Sequence, residues 1–351
     1  MNNEESKAFQ SIEWKDDSLT IIDQTHLPSR EVYTQLNSVG QVWDAIKKLK
    51  VRGAPAIGIA AAYGLYLGVR DLPDSGFKSF YSECERISYY LNSSRPTAVN
   101  LSWALNRLLA TVTSRKELPT DELKLLILDT AKIIHDEDRR MCKAIGEHGV
   151  ELVPDEASVL THCNTGGLAT GQYGTAFSII FHAHQAGKIE HVWVDETRPL
   201  LQGARLTTWE LAKAEIPHQL IVDSAAAFLM QSGRVDMVIT GADRITKNGD
   251  SANKIGTYAL AVLAKEHNIP FYIAAPSSTI DMSLETGSDI DIELRDENEI
   301  TSFAGKQSAP DNTDVFNPAF DVTPHRLITA IVTEKGIIKP DFNTHFKSVF
   351  T

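Results

Sequence analysis

The sequence predicts an α/β fold, in which a C-terminal Rossmann-like parallel sheet with helices on both faces follows a mainly helical N-terminal domain carrying a small antiparallel sheet. Three observations predict it. Before Gly149 apolar residues recur at helical spacing over long stretches. After Gly149 apolar, β-branched runs appear at 159–161, 192–194, 220–222, 235–239 and 271–274, most of them roughly 30 residues from the next, the size of a βαβ unit. Residues 157–177, ASVLTHCNTGGLATGQYGTAF, read as a buried strand, a glycine loop and the start of a helix. The domain limits follow as 1–150 and 151–351.

Taken in order, residues 10–36 alternate apolar and polar positions (Ile12, Trp14; Leu19, Ile21; Val32, Tyr33) around breaks at Lys15-Asp16-Asp17 and Leu27-Pro28, which suggests the antiparallel sheet. Ser38 is a candidate N-cap for a helix presenting Val42, Ile46 and Leu49 on one face and ending before Arg52-Gly53-Ala54-Pro55. Residues 55–69 are apolar and small on every side, so that helix should be buried. Helical stretches follow at 77–91, 96–113 and 119–148. The last has an apolar stripe through Leu123, Leu126, Ile127, Ile133 and Ile134, and its charge run His135-Asp136-Glu137-Asp138-Arg139-Arg140 reads as a solvated face. Cys84 and Cys142, within helices, read as small buried hydrophobes.

At 351 residues, with 42% hydrophobic and 23% charged residues, the chain has the composition of an ordinary globular protein of two domains. Its net charge of -12 argues against nucleic acid or an anionic membrane as partner. An anionic ligand must therefore be captured locally. MNNEESKAFQ lacks a signal-peptide pattern, and no apolar run approaches the ~20 residues of a membrane span. Three widely spaced cysteines suit reduced thiols rather than a disulfide frame or zinc site. A cytoplasmic location is expected.

In a parallel sheet ligands bind beyond the carboxyl ends of the strands. Those ends carry His162-Cys163, Asp195-Glu196-Thr197-Arg198-Pro199, Asp223-Ser224, Gly241-Ala242-Asp243-Arg244 and Ala275-Pro276-Ser277-Ser278-Thr279. Glycine N–H groups at 166, 167, 171 and 174, with the following helix start, suggest a phosphate cradle. The spacing departs from G-x-G-x-x-G and Asp195 is followed by Glu196, so a dinucleotide site is not indicated. Asn248-Gly249-Asp250 reads as a turn, after which Asn253, Lys254 and Gly256 are expected at a helix start, with Lys254 forming a second, cationic anion site. Cys163, before the glycine loop, is a candidate reactive thiol. His162 reads as its packed or hydrogen-bonded neighbour rather than as a metal ligand.

Six separated blocks together carry a resemblance: Arg52-Gly53-Ala54-Pro55 with AIGIAAAYG, Arg95-Pro96-Thr97-Ala98-Val99-Asn100-Leu101, THCNTGGLAT, DETRPLLQGARLTTWEL, ITGADRI and NGDSANKIGTY. They resemble the methylthioribose-1-phosphate isomerase family over residues 52–281. The resemblance implies conversion of an aldose 1-phosphate to the ketose 1-phosphate in methionine salvage, with Cys163 and Asp243 as the catalytic pair. It also implies substrate binding by Arg52, Gly53, Ala54, Arg95, Gln202, Asn253 and Lys254, a homodimer, and no metal or organic cofactor. The regulatory subunits of the translation initiation exchange factor are similar in fold but act by assembly rather than catalysis, and isomerases of ribose bisphosphate or deoxyribose 1-phosphate are similar in chemistry. The substituent at C5 of the sugar separates these isomerases, and the sequence leaves it open.

Overall fold

The structure, a computed structural model, describes residues 10–74, 76–96, 98–303 and 305–350. The N-terminal residues 1–9 and Thr97, both used in the sequence reading, lie outside them. The chain separates into two compact units, one of Met1–Cys142 with Gly166–Gly174, the other of Lys143–Thr165 with Thr175–Thr351. The division falls inside a continuous helix and returns the glycine loop to the first unit.

In the first unit, strands β1 (Ile12–Lys15), β2 (Ser18–Ile22) and β3 (Tyr33–Leu36) form the expected antiparallel sheet. Helix α1 (Val39–Lys47) is capped by Ser38, whose Oγ accepts the Gln41 N–H at 3.4 Å, and buries Val42 and Ile46. Leu49 does not share that face. It has φ 57°, and the N–H groups of Lys50 and Leu49 return to Ala45 and Ile46 carbonyls at 2.9 and 3.2 Å, the C-terminal stop that a left-handed residue makes.

Helix α2 (Ala54–Val69) is buried along nearly its whole length, as its small apolar sequence requires. A Cβ at Gly58 would lie 2.8 Å from the Asn100 carbonyl oxygen, so this glycine permits the approach of helix α4 (Val99–Ser114). Helix α3 (Phe77–Asn92) precedes it. Helix α4 starts three residues later than expected because Arg95 opens a turn closed by Ala98 N–H at 3.0 Å. Helix α5 (Thr120–Gly149) buries Leu123, Ile127 and Ile134, whereas Ile133 is 48% exposed. Its charge run is not uniformly solvated: His135 and Asp138, one helical turn apart, are buried.

The second unit holds the predicted α/β sheet. Its strands β4 (Ala157–Thr161), β5 (Ile189–Asp195), β6 (His218–Ile221), β7 (Met237–Thr240) and β10 (Phe271–Ala274) match the apolar runs. With β15 (Ala330–Thr333) and β16 (Gly336–Ile338) they form a seven-stranded sheet in the order β16-β15-β10-β7-β4-β5-β6, parallel except for β16. Helices α6 (Ala176–Gln185), α7 (Thr208–Lys213), α8 (Ala226–Gln231) and α9 (Thr257–Glu266) alternate with the strands, giving the expected doubly wound class. Not foreseen is a second sheet, β11 (Ile280–Asp281), β8 (Arg244–Thr246), β9 (Ser251–Lys254) and β14 (Phe320–Thr323), in that order. Its pairing joins segments nearly 70 residues apart in sequence, beyond the reach of local periodicity.

Candidate active site

Strands β4 and β7 lie side by side with Thr161 opposite Ile239, so His162-Cys163 and Gly241-Ala242-Asp243 leave the carboxyl ends of neighbouring parallel strands. Strand β5, on the other side of β4, ends at Asp195. A thiol and two carboxylates thus come from three adjacent strand ends, the rim where such sheets hold ligands.

The backbone at Cys163 is held in an uncommon conformation. Its φ is 62°, a left-handed geometry that costs a non-glycine residue about 1 to 2 kcal/mol. Two threonine hydroxyls offset that cost. The Cys163 N–H donates to Thr197 Oγ1 at 2.8 Å, and Thr207 Oγ1 donates to the Cys163 carbonyl at 2.6 Å. Asn164 then donates its amide to Thr207 Oγ1 at 3.2 Å and to the buried Glu210 carboxylate at 2.7 Å. Thr197 is itself fixed by Asp223, whose two oxygens accept the N–H groups of Thr197 and Arg198 at 2.7 and 2.8 Å. The thiol-bearing residue is only 7% exposed.

Thr207 ends a π-helical turn, Gly203–Thr207, preceded by the buried Gln202. Such turns frequently mark functional sites. Here the wider turn coincides with a close backbone approach, since a Cβ at Gly203 would stand 1.7 Å from the Asp195 carbonyl oxygen.

His162 is completely enclosed. Its Nδ1 meets Asp195 Oδ2 at 2.8 Å and its Nε2 meets the Ile255 carbonyl at 2.9 Å. Burial disfavours a charged ring, but the Asp195 hydrogen bond and charge outweigh it and raise the pKa above the ordinary histidine value. Burial likewise pushes Asp195 up, to about 6, against the pull of His162. Ligand-type atoms of His162, Asp195 and Asp223 lie within 4.8 Å of one another, yet both ring nitrogens and both Asp223 oxygens already have hydrogen-bond partners. Asp195 Oδ1 is the ligand-type atom of this set without a partner among the described residues.

Asp243 is half-buried and its N–H is paired to the Ala252 carbonyl at 2.9 Å. Asn253 and Lys254 are not at a helix start. They end strand β9, and α9 begins at Thr257 after Gly256 in a left-handed conformation. Two of the N–H groups at this helix start are already taken: Asp321 accepts those of Gly256 and Tyr258 at 2.8 and 3.0 Å. Asn253 is buried and donates to Thr257 Oγ1 at 3.0 Å, and Lys254 Nζ donates to the Ala319 carbonyl at 3.0 Å above the Phe320 ring. Cationic charge at this place therefore comes from the lysine, with the helix end neutralised by a carboxylate.

In the first unit, Arg52-Gly53-Ala54 leads into α2 and lies against the glycine loop. A Cβ on Gly53 would fall 2.5 Å from Ala169 Cα, and the Ala56 N–H donates to the Ala169 carbonyl at 3.1 Å. The loop is pinned by Ser11 Oγ on the Gly167 carbonyl at 2.7 Å, by Gln24 Nε2 on the Leu168 carbonyl at 2.7 Å, and by Asp138 Oδ2, which accepts the Gly171 N–H at 2.6 Å. The N–H groups of Ala169, Gly171 and Gly174 all have protein acceptors. The expected phosphate cradle is thus not built from these three. Burial lifts the Asp138 carboxyl to about 7, with the Gly171 N–H opposing. Arg95 is half-buried in the turn before α4.

Sequence reasoning singled out Cys163 and Asp243 but gave no role to Thr197, Thr207, Asp195 or Asp138. The first three fall within a quoted block, Asp195 at the end of β5, Thr197 just after it, and Thr207 in the π-helical turn before α7. Asp138 was hidden in its charge run.

The initiation factor 2 subunit family model matches residues 50–340. The chain belongs to this family. Among its members, a 5-deoxyribose 1-phosphate isomerase of Moorella thermoacetica is 55% identical over 96% of this chain and 96% of its own. A methylthioribose-1-phosphate isomerase of Geobacter sulfurreducens is 50% identical over 97% of this chain and 99% of its own. The crystal structure of 5-methylthioribose 1-phosphate isomerase from Pyrococcus horikoshii superimposes with a TM-score of 0.92 at 47% identity, over 97% of this chain and 95% of that one. The crystal structure of the translation initiation factor eIF-2B subunit delta from A. fulgidus superimposes with a TM-score of 0.86 at 43% identity, over 96% of this chain and 97% of that one. The family thus joins sugar-phosphate isomerases with proteins named for translation initiation, and this chain is similar to both over nearly its full length.

Proposed function

We propose that this family member is an aldose-ketose isomerase converting 5-methylthioribose 1-phosphate to 5-methylthioribulose 1-phosphate in methionine salvage. The observation that carries the reading is identity of about half, end to end, with relatives named for this reaction. A second reading, 5-deoxyribose 1-phosphate as substrate, has a specific basis in the 55% identity to the Moorella protein. The two sugars share every reacting atom and differ only in the substituent on C5.

Phosphate on the anomeric oxygen blocks simple opening to a free aldehyde. The ring oxygen must be protonated as its bond to C1 breaks, and one hydrogen must move from C2 to C1 to leave a ketone at C2. Asp243 serves as the acid/base for the ring or hydroxyl proton, and Cys163, close to the reacting carbons, assists by proton transfer or by stabilising charge. Arg52, Gly53, Ala54, Arg95, Gln202, Asn253 and Lys254 bind the sugar phosphate. Arginine and lysine match the dianion in charge, and the arginine forks suit its paired oxygens. The domains at 1–150 and 151–351, a homodimer and a cytoplasmic setting belong to the same proposal. Among the described residues no helix is long and apolar enough to cross a membrane.

The test is kcat/KM of the purified protein on ribose 1-phosphates bearing methylthio, hydrogen, hydroxyl or phosphate at C5. The methylthio compound should be turned over best. Preference for hydrogen would make 5-deoxyribose 1-phosphate the substrate, and turnover of none would return the chain to the assembly role of the initiation-factor members.

A further inference from the structure

We propose that His162 is a positioning residue: a buried imidazolium that ties the chain at Cys163 to the chain at Lys254. The proposal rests on the isomerase reading for the roles of those two residues, while its geometry stands by itself. His162 immediately precedes Cys163, and its Nε2 meets the carbonyl of Ile255, which immediately follows Lys254. A carbonyl oxygen can only accept, so Nε2 carries a hydrogen. The other nitrogen faces Asp195 Oδ2 at 2.8 Å. One proton lies on that line, and imidazole is the stronger base of the two groups.

The surroundings favour the ionised pair. Asp195 is 1% exposed and its second oxygen, Oδ1, has no hydrogen-bond partner among the described residues, a cost to the carboxylate that the proton and charge of the ring must offset. The other charged groups acting on His162 are also acidic: Asp223 after β6 and Asp321 on β14. Three carboxylates around one buried ring stabilise imidazolium. Gly256 makes room for the ring, since a Cβ there would stand 2.9 Å from His162 Cε1.

One ring therefore joins three segments, the ends of β4, β5 and β9. Being enclosed, it acts by fixing the backbone on which the thiol and the phosphate-binding lysine are mounted. A carboxylic acid donating to a neutral ring would give the same heavy-atom distances, so the experiment must count protons.

Protein labelled with 15N in the imidazole of histidine is examined by NMR at pH 7.5, the His162 signals being identified by their loss in His162→Gln. Both ring nitrogens should be protonated in the wild type, and one should lose its proton in Asp195→Asn. The functional readout is KM for the sugar phosphate in His162→Gln. Glutamine can donate to Ile255 while accepting from a protonated Asp195, but it opposes an ionised one. Its KM should be close to wild type at pH 6 and at least about 10-fold higher at pH 8.5, with the wild type varying less than about threefold. A single ring proton in the wild type at pH 7.5, or a variant KM equal to wild type at both pH values, overturns the proposal. Absence of turnover in the wild type would instead sink the isomerase reading, and the ring protons would still be counted.

Discussion

Thr207 donates its hydroxyl to the carbonyl of Cys163 at 2.6 Å, across 44 residues of sequence, and so helps hold a cysteine at φ 62°. Removing that hydroxyl at constant shape leaves a buried carbonyl without its donor, at about 1 to 3 kcal/mol. Thr207→Val should lose that much in urea unfolding and should lower kcat more than it raises KM, because the thiol moves while the phosphate contacts stay. Thr207→Ser should recover most of both. A valine variant with wild-type kcat would show that the hydroxyl does not position Cys163.

Gly203 supports the same region from the side of Asp195. Its missing side chain leaves room for a carbonyl oxygen that a Cβ would meet at 1.7 Å, and the atom in the way is backbone rather than a movable side chain. Gly203→Ala should therefore cost at least ~3 kcal/mol, the upper end for overpacking. Gly233 is a matched control, because at φ 65° a Cβ there meets nothing within 4 Å, and alanine should cost only the ~1 to 2 kcal/mol of left-handed strain. Equal losses at the two positions would contradict the steric account.

What the sequence disclosed follows a physical boundary between local and distant interactions. The parallel strands were legible because each is a short apolar run between helical stretches, and Ser38 because a cap acts within one turn. The sheet joining β9 to β14 was not, since residues 251–254 are mostly polar and find their partners only at 320–323. For that reason Asn253 and Lys254 looked like a helix start, and the carboxylate of Asp321 on the helix end had no local sign. The glycine loop was visible as a loop, but Ser11, Gln24 and Asp138, which anchor it, come from elsewhere in the chain. Cys163 and Asp243 were legible as strand-end groups; their pairing as chemistry came from the resemblance.

Asp138 gives a pH prediction of definite sign. Burial raises its carboxyl from the ordinary 3.8 to about 7, so between those values the native protein binds more protons than the unfolded chain. Its contribution to stability must then fall as pH rises through that window, by up to about 4 kcal/mol if the whole shift is realised. Asp138→Asn keeps an acceptor for the Gly171 N–H and removes the ionisation. The variant should match wild type in urea unfolding at about pH 3.5 and exceed it by a margin that grows toward pH 8. An asparagine variant less stable than wild type at pH 8 would show that the carboxylate form is the stabilising one.

Variants at Lys254 and Asp321 separate two candidate anion sites in the second unit, the lysine and the start of α9. If the lysine does, Lys254→Ala loses a charge-assisted contact of about 1.5 to 3 kcal/mol, which is roughly a 10- to 150-fold rise in KM. The change belongs in KM rather than kcat because phosphate is held alike in ground and transition states. Asp321 opposes an anion at the helix end, since its two oxygens occupy the Gly256 and Tyr258 N–H groups. Asp321→Asn retains one acceptor and removes a negative charge from beside Lys254. It should cost about 1 kcal/mol of stability as a weakened cap and leave KM unchanged or lower. Had the helix N-terminus been the anion site, its carboxylate would have to leave for phosphate to enter, and the asparagine substitution would change KM as strongly as loss of the lysine. A large KM effect from Asp321→Asn together with a small one from Lys254→Ala would therefore move the phosphate from the lysine to the helix end.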